Sequence, residues 1–278
     1  MAKRRNSWTE EKIARYIKEG RGKGELSEYI PWLKIQDFST NGNASRFVGW
    51  KTKRQHEFLS NLERDLFLLL EWEPSVIDIR EQFPLNREET ISIAEAKGIK
   101  HSINNITDTF IVMTTDFFVT VNQGDHIEYI ARTVKPSESL EDKRVVEKFE
   151  IEREYWMSKG INWGIVTEKE LPKNFSRNIL WAHKYFYLDD KEDEKYALIF
   201  LNILTNKRGN DENLLDVCNQ FDADYNIEIG SALSYIRHFV ARKLISVDME
   251  EIITASNLTI KELKMNVSGV DYFDYIGS

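Results

Sequence analysis

Two strand-like runs joined by a turn signal constrain this chain most. Residues 110–121 are rich in β-branched and aromatic side chains, and residues 127–135 read as a return strand that Pro136 ends. Between them, Asn122-Gln123-Gly124-Asp125 carries the residue types of a hairpin turn. Around this hairpin, residues 57–72 read as an amphipathic helix with Phe58, Leu62, Leu66, Leu69 and Leu70 on one stripe, stopped by Pro74. Residues 76–79 read as a short strand and 86–108 as a mobile stretch. Ser137 is expected to cap a long helix to Lys159 with Leu140, Val145, Phe149 and Trp156 on its stripe, and residues 161–167 to form another strand. Helix, strand, hairpin, helix, strand is an α/β layer whose last strand is reached by a crossover.

The flanks differ in character. Ser7-Trp8-Thr9-Glu10 reads as a capping box opening a helix to Glu19, followed by Gly20-Arg21-Gly22-Lys23-Gly24 as a flexible basic loop. Beyond Leu171-Pro172, residues 181–187 suggest a connecting helix, and the acidic run Asp189-Asp190-Lys191-Glu192-Asp193-Glu194 suggests a helix end or loop. Helices over 212–221 and 227–242, then the β-like Leu244-Ile245-Ser246-Val247, trace the outline of a winged helix. The expected division is therefore 1–170 and 171–278, in keeping with a length of 278 residues.

Charge is unevenly spread. Residues 1–60 hold 13 Lys/Arg against 7 Asp/Glu, a balance of +6, so the rest carries −14 of a net −8. A basic region on an acidic body suggests one surface for phosphates and another for a different partner. The lone cysteine, Cys218, excludes an internal disulfide and a Cys-based zinc site. With no targeting segment visible and apolar runs far too short to span a bilayer, a cytoplasmic protein without membrane contact is expected.

Four residues stand out chemically. Glu63 follows core-facing Leu62, and Asp116 interrupts an otherwise apolar strand. Thr133 and Lys135 lie two apart on the return strand, so alternation points them to one side, about 6–7 Å apart. A carboxylate within apolar sequence is costly unless paired, hydrogen-bonded or metal-bound. Carboxylate oxygens suit a hard divalent cation, which polarises a phosphodiester and acidifies water, and a lysine beside it can hold a phosphate oxygen. Glu63 and Asp116 would be ligands, with a backbone carbonyl from the strand end. Read alone, Glu63 fits a solvated helix acid and Asp116 a turn cap equally well.

An ordered series of short motifs narrows the choice. Lys18-Glu19-Gly20-Arg21-Gly22-Lys23-Gly24, Tyr29-Ile30-Pro31-Trp32-Leu33, Leu59-Ser60-Asn61-Leu62-Glu63, Ile79-Arg80-Glu81-Gln82-Phe83-Pro84-Leu85, Thr115-Asp116-Phe117, Val134-Lys135-Pro136 and Glu152-Arg153-Glu154-Tyr155-Trp156 resemble, in this order, the TnsA subunits of heteromeric cut-and-paste transposases. The resemblance implies a restriction-endonuclease-like N-terminal domain and a smaller winged-helix C-terminal domain. It implies a DNA endonuclease that uses Mg²⁺, with Mn²⁺ substituting, to cut the 5′ ends of a transposon, while an RNase H-like partner transposase cuts the 3′ ends. Glu63, Asp116 and Lys135 match the family's active-site positions, with the Val134 carbonyl as a third metal ligand. Thr133 departs from the pattern, because the family usually has glutamine there, and weaker metal affinity follows.

The region over 227–242 is only mildly basic (Arg237, His238, Arg242 and Lys243 against Glu228), which argues against groove reading, and the resemblance implies instead that the C-terminal domain contacts an AAA+ ATPase regulator. Candidate contacts to double-stranded transposon-end DNA are Arg21, Lys23, Arg46, Lys51, Lys53, Arg54 and His56. Two other readings stay open: a non-catalytic adaptor between transposase and ATPase, and a free-standing restriction-type nuclease.

Overall fold

A computed structural model describes residues 7–38 and 43–266. Lys3, Arg4 and Arg5 of the basic N-terminal region lie outside the described residues. The chain divides into two compact units, Met1–Leu171 and Pro172–Ser278.

In the first unit, helix α1 (Glu10–Lys18) is followed by the two-stranded ribbon of β1 (Ser45–Val48) and β2 (Gln55–Phe58). Then come α2 (Asn61–Trp72), β3 (Val76–Pro84), α3 (Arg87–Ala96), β4 (Thr114–Asn122), β5 (Ile127–Val134), α4 (Lys143–Ser158) and β6 (Asn162–Val166). The central sheet runs β3-β4-β5-β6. Its first two pairings are antiparallel, and α4 carries the chain across so that β6 joins β5 in parallel. The hairpin forms where the turn residues stand: Gly124 takes φ +93°, and its N–H donates to Asn122 Oδ1 at 2.8 Å.

Both faces of the sheet are covered. Phe117 faces the ribbon and α2, 6.1 Å from Phe58, which in turn lies 4.6 Å from Phe67. Its neighbour Phe118 faces α4 and stacks on Trp156 at 4.9 Å, in a cluster with Leu85, Ala131 and Tyr155. Adjacent residues on opposite faces are what a pleated strand gives, and burial on both explains why β4 is apolar nearly throughout.

Several elements differ from the sequence reading. The first helix is capped by Thr9, whose hydroxyl accepts from Lys12 N–H, and not by Ser7. The segment read as one helix over 57–72 is a strand end followed by α2, which Ser60 caps. Phe58 belongs to β2 yet falls in phase with the helical stripe, which hid the break. The stretch expected to be mobile contains α3, capped by Asn86 and seated through the small buried Thr90 and Ala94. Residues 137–141 form a 3₁₀ turn, and Asp142 caps α4. The Gly20–Gly24 loop is a packed turn: Gly22 N–H donates to Ile30 O at 2.6 Å, and a Cβ on Gly22 would meet Pro84 Cγ at 2.2 Å.

In the second unit, α5 (Lys173–His183), α6 (Lys191–Asn206), α7 (Leu214–Tyr225) and α8 (Ser231–Ala241) pack around Phe200, Leu201, Leu204, Phe221, Ile236 and Phe239. A small antiparallel pair, β7 (Ile245–Ser246) and β8 (Lys264–Met265), follows. The helix expected over 181–187 is α5, which begins earlier and ends at His183. The acidic run opens α6: Asp190 caps it by accepting from Glu192 and Asp193 N–H, and acids there meet the positive end of the helix dipole. Asp222 ties α7 to the start of α8, accepting from Gly230 N–H at 2.6 Å and Ala232 N–H at 2.9 Å. Among the described residues, no helix is long and apolar enough to cross a membrane.

Candidate active site

Glu63 sits in the first turn of α2 and is held by the cap of its own helix. Ser60 Oγ accepts from Glu63 N–H at 3.2 Å and donates to Oε1 at 2.9 Å, while Leu59 N–H donates to Oε2 at 3.0 Å. The carboxylate is 9% exposed and is carried on a fixed turn.

Asp116 comes from β4 and is gripped from both neighbouring strands. Val134 N–H of β5 donates to Oδ2 at 2.8 Å, and Gln82 Nε2 of β3 donates to Oδ1 at 3.1 Å. Lys135 follows β5 directly, its N–H on Val166 O at 3.0 Å. The three charged side chains lie within electrostatic reach of one another. Burial raises the Glu63 carboxyl well above the usual range, and the Asp116 charge raises it further, against the lowering pull of Lys135. Burial likewise raises Asp116, opposed by the Val134 N–H, the Gln82 amide and Lys135. Two acids that each resist ionisation, with one lysine to balance them, form a pocket that a cation would relieve.

Thr133 is placed otherwise than expected. Its hydroxyl donates to Glu152 of α4. Glu152 is 3% exposed, and its Oε1 also accepts from Thr115 Oγ1 at 2.6 Å and Trp163 Nε1 at 3.0 Å. Burial pushes Glu152 up to about 7 despite these donors, and the Asp116 charge adds to the rise. Sequence reasoning missed Glu152, although the signal was there. It falls on the stripe of Val145, Phe149 and Trp156, an acid at a core-facing position. Gln82 was missed as well: it lay inside the Ile79–Leu85 motif, but nothing there singled it out.

The candidate DNA contacts divide into two groups. Arg21 is 7% exposed, bonded to Trp32 O at 3.0 Å and to Asp37 Oδ2 at 2.5 Å, with Glu19 at 2.7 Å. Arg54 lies buried with its guanidinium forked on Glu81, Nη1 to Oε1 at 2.8 Å, and on Ile79 O at 2.9 Å. His56 is fully buried, with Nδ1 hydrogen-bonded to the Glu81 carboxylate at 2.8 Å and Nε2 to the Thr52 hydroxyl at 2.7 Å; burial lowers its pKa, against the raising pull of Glu81. All three are buried against acids of the chain and are corrected from DNA contacts to structural groups. Lys23 and Lys53 are exposed, Arg46 is half exposed beside Glu57 at 3.1 Å, and Lys51 Nζ donates to Glu73 O at 2.8 Å.

The donor set fits a hard divalent cation: two carboxylates and the carbonyl of Val134, the residue whose N–H is docked on Asp116. Among the described residues, no group of three or more His, Cys, Asp or Glu is placed to hold an ion, so a cation here relies on two acids and neutral oxygens.

The chain thus holds a mixed α/β unit with paired strand and helix acids, followed by a second, helical unit. A family model described as TnsA-like endonuclease N terminal matches residues 73–168, and one described as TnsA endonuclease C terminal matches 170–249. The chain is 43% identical over 245 residues to Transposon Tn7 transposition protein TnsA of Escherichia coli, covering 88% of each chain. It belongs to the TnsA family of transposition proteins.

Proposed function

We propose that this chain is the Mg²⁺-dependent endonuclease subunit of a heteromeric transposase, hydrolysing the phosphodiester at the 5′ ends of its element. The observation that carries this reading is the shared pocket of Glu63, Asp116 and Lys135, whose acids are raised by burial and, for Glu63, by its companion's charge. Glu63, Asp116 and the Val134 carbonyl would hold the cation, and Mn²⁺ would serve in its place. When bound, the ion supplies Lewis acidity and neutralises charge on the scissile phosphate.

The chain's own residues do the positioning. The Ser60 cap fixes Glu63, and the β3 and β5 donors fix both oxygens of Asp116, so the carboxylates need little reorganisation. Lys135 brings a positive charge to the same pocket, suited to a non-bridging phosphate oxygen. Exposed Lys23, Lys53 and Arg46, with Lys51, supply phosphate contacts to double-stranded transposon-end DNA. The first unit corresponds to a restriction-endonuclease-like catalytic domain. The order α7, α8, β7, β8 in the second supports a winged-helix reading, with contact to an AAA+ ATPase regulator its role. The RNase H-like partner transposase cuts the 3′ ends. We place the complex in the cytoplasm.

An acidic body gives little sequence-independent DNA affinity, so the subunit is expected to depend on partners. Labelled transposon-end DNA, incubated with Mg²⁺ and the partner subunits, should be nicked on the 5′ strand; omitting the partners or adding chelator should abolish the nick. Efficient cutting by the chain alone would favour a free-standing nuclease.

A further inference from the structure

We infer that Gln82 is a positioning residue for the cation site, holding the Asp116 carboxylate at the angle that binding requires. The inference rests on the nuclease reading and deepens it by naming a residue that sequence reasoning passed over.

Gln82 has φ +50° within β3, a left-handed backbone that glycine adopts freely and glutamine does not. The consequence is visible on both sides of it. The ladder pairs Glu81 with Phe117 and Phe83 with Thr115. Two residues apart on a regular strand, Glu81 and Phe83 would share a face. Here Glu81 meets Arg54 and His56 on the ribbon side, while Phe83 packs at a tilt against Phe118 and Trp156 on the α4 side. The strand therefore changes faces at Gln82. Opposite it, β4 changes faces at Asp116: Phe117 lies against Phe58, and Thr115 reaches Glu152.

The contacts of Gln82 account for the turn in the backbone. Its carbonyl accepts from Trp32 N–H at 3.2 Å. Its side-chain amide lies across to β4, where Nε2 donates to Asp116 Oδ1 at 3.1 Å and Oε1 accepts from Thr114 Oγ1 at 3.2 Å. The Asp116 carboxylate fixes which end of the amide points at it, because only the NH₂ can donate, and the amide oxygen is left to accept from the Thr114 hydroxyl. Asp116 thus receives one neutral donor on each oxygen, from Gln82 and from Val134. Neutral donors orient a carboxylate while leaving its charge for a cation, as a lysine or arginine in that place would not. An unfavourable backbone held by its surroundings beside a reactive acid is the pattern of a site that stores strain for function.

The experiment compares Gln82→Gly, which suits the left-handed backbone and deletes the amide, with the parent chain and Asp116→Ala. Gln82→Asn also tolerates that backbone but is one methylene too short to reach, and it serves as the second variant. Calorimetric titration with Mn²⁺ gives the metal Kd, and thermal unfolding without metal gives stability. The expected result is a folded Gln82→Gly protein with Tm equal to or above the parent's and a Mn²⁺ Kd raised about 10–100-fold, with Gln82→Asn weakened in the same direction. A purely structural role would lower Tm and leave the Kd of the folded protein unchanged, which overturns the inference while the cation site stands. Mn²⁺ binding that is equal in parent and Asp116→Ala would overturn the cation site and this inference with it.

Discussion

The backbone N–H of Val134 donates to Asp116 Oδ2 at 2.8 Å, so the peptide at the end of β5 and the acid of β4 are fixed against each other. The same residue carries the carbonyl assigned to the cation, and Glu63 approaches from α2. Because burial raises both acids and Asp116 raises Glu63 further, part of the pair holds a proton near neutral pH that a cation must displace. Mg²⁺ affinity should therefore fall as pH is lowered from 8 to 6, by up to about tenfold per pH unit for one proton released. Titration calorimetry at several pH values measures this, and a pH-independent affinity would mean that the two acids are not the ligands.

Glu152 makes a separate pH prediction. Its folded value of about 7 lies above the ordinary 4.5, so the folded protein holds an extra proton between those values. Its contribution is most favourable below about 4.5, is lost as pH rises to about 7, and stays low above that. Glu152→Gln keeps an oxygen for Thr115, Thr133 and Trp163 and cannot ionise. The variant should gain up to about 3 kcal/mol relative to the parent between pH 5 and pH 8, measured by urea unfolding. An identical pH profile for both proteins would remove Glu152 as the titrating group.

Arg54 and Lys53 are neighbours with opposite expected outcomes. Arg54→Ala strands the Glu81 carboxylate, which is 1% exposed, and should cost about 3–5 kcal/mol. Lys53→Ala should leave stability within about 0.5 kcal/mol and weaken binding of end DNA in a salt-dependent way. Denaturation and DNA titration on both variants test the reassignment of Arg54 directly.

In the second unit, Asp222 serves two backbone N–H groups at the junction of α7 and α8. Asp222→Ala leaves both without that acceptor and should destabilise the unit by about 2 kcal/mol, read by hydrogen exchange at Gly230 and Ala232. Unchanged protection there would contradict the staple.

What could be read from sequence was local. Asn122–Asp125 marked the hairpin because turn chemistry is set by a few adjacent residues. Asp116 stood out because a charge in an apolar strand needs a reason. Glu63 was placed on a helix next to core-facing Leu62, yet the helix itself was drawn too long because Phe58 kept the period. Other features depend on contacts distant in sequence. The partner of the Thr133 hydroxyl, Glu152, lies on a later helix and could not be paired with it from sequence. Arg21, Arg54 and His56 read as basic groups for phosphates, but their acids, Asp37 and Glu81, were invisible as partners until the chain folded. The left-handed turn at Gln82 has no sequence mark at all, because glutamine is not a residue chosen for that conformation.

The central claim is that Glu63 and Asp116 together carry cleavage of the 5′ strand. Parent, Glu63→Ala and Asp116→Ala proteins, each assembled with the partner subunits on end-labelled transposon DNA in Mg²⁺, should give a 5′ nick with the parent alone. Either substitution should reduce its rate by more than the 10–100-fold typical of a residue that merely supports a ligand, with 3′ cutting by the partner retained. A 5′ nick made at the parental rate by either variant would contradict the account.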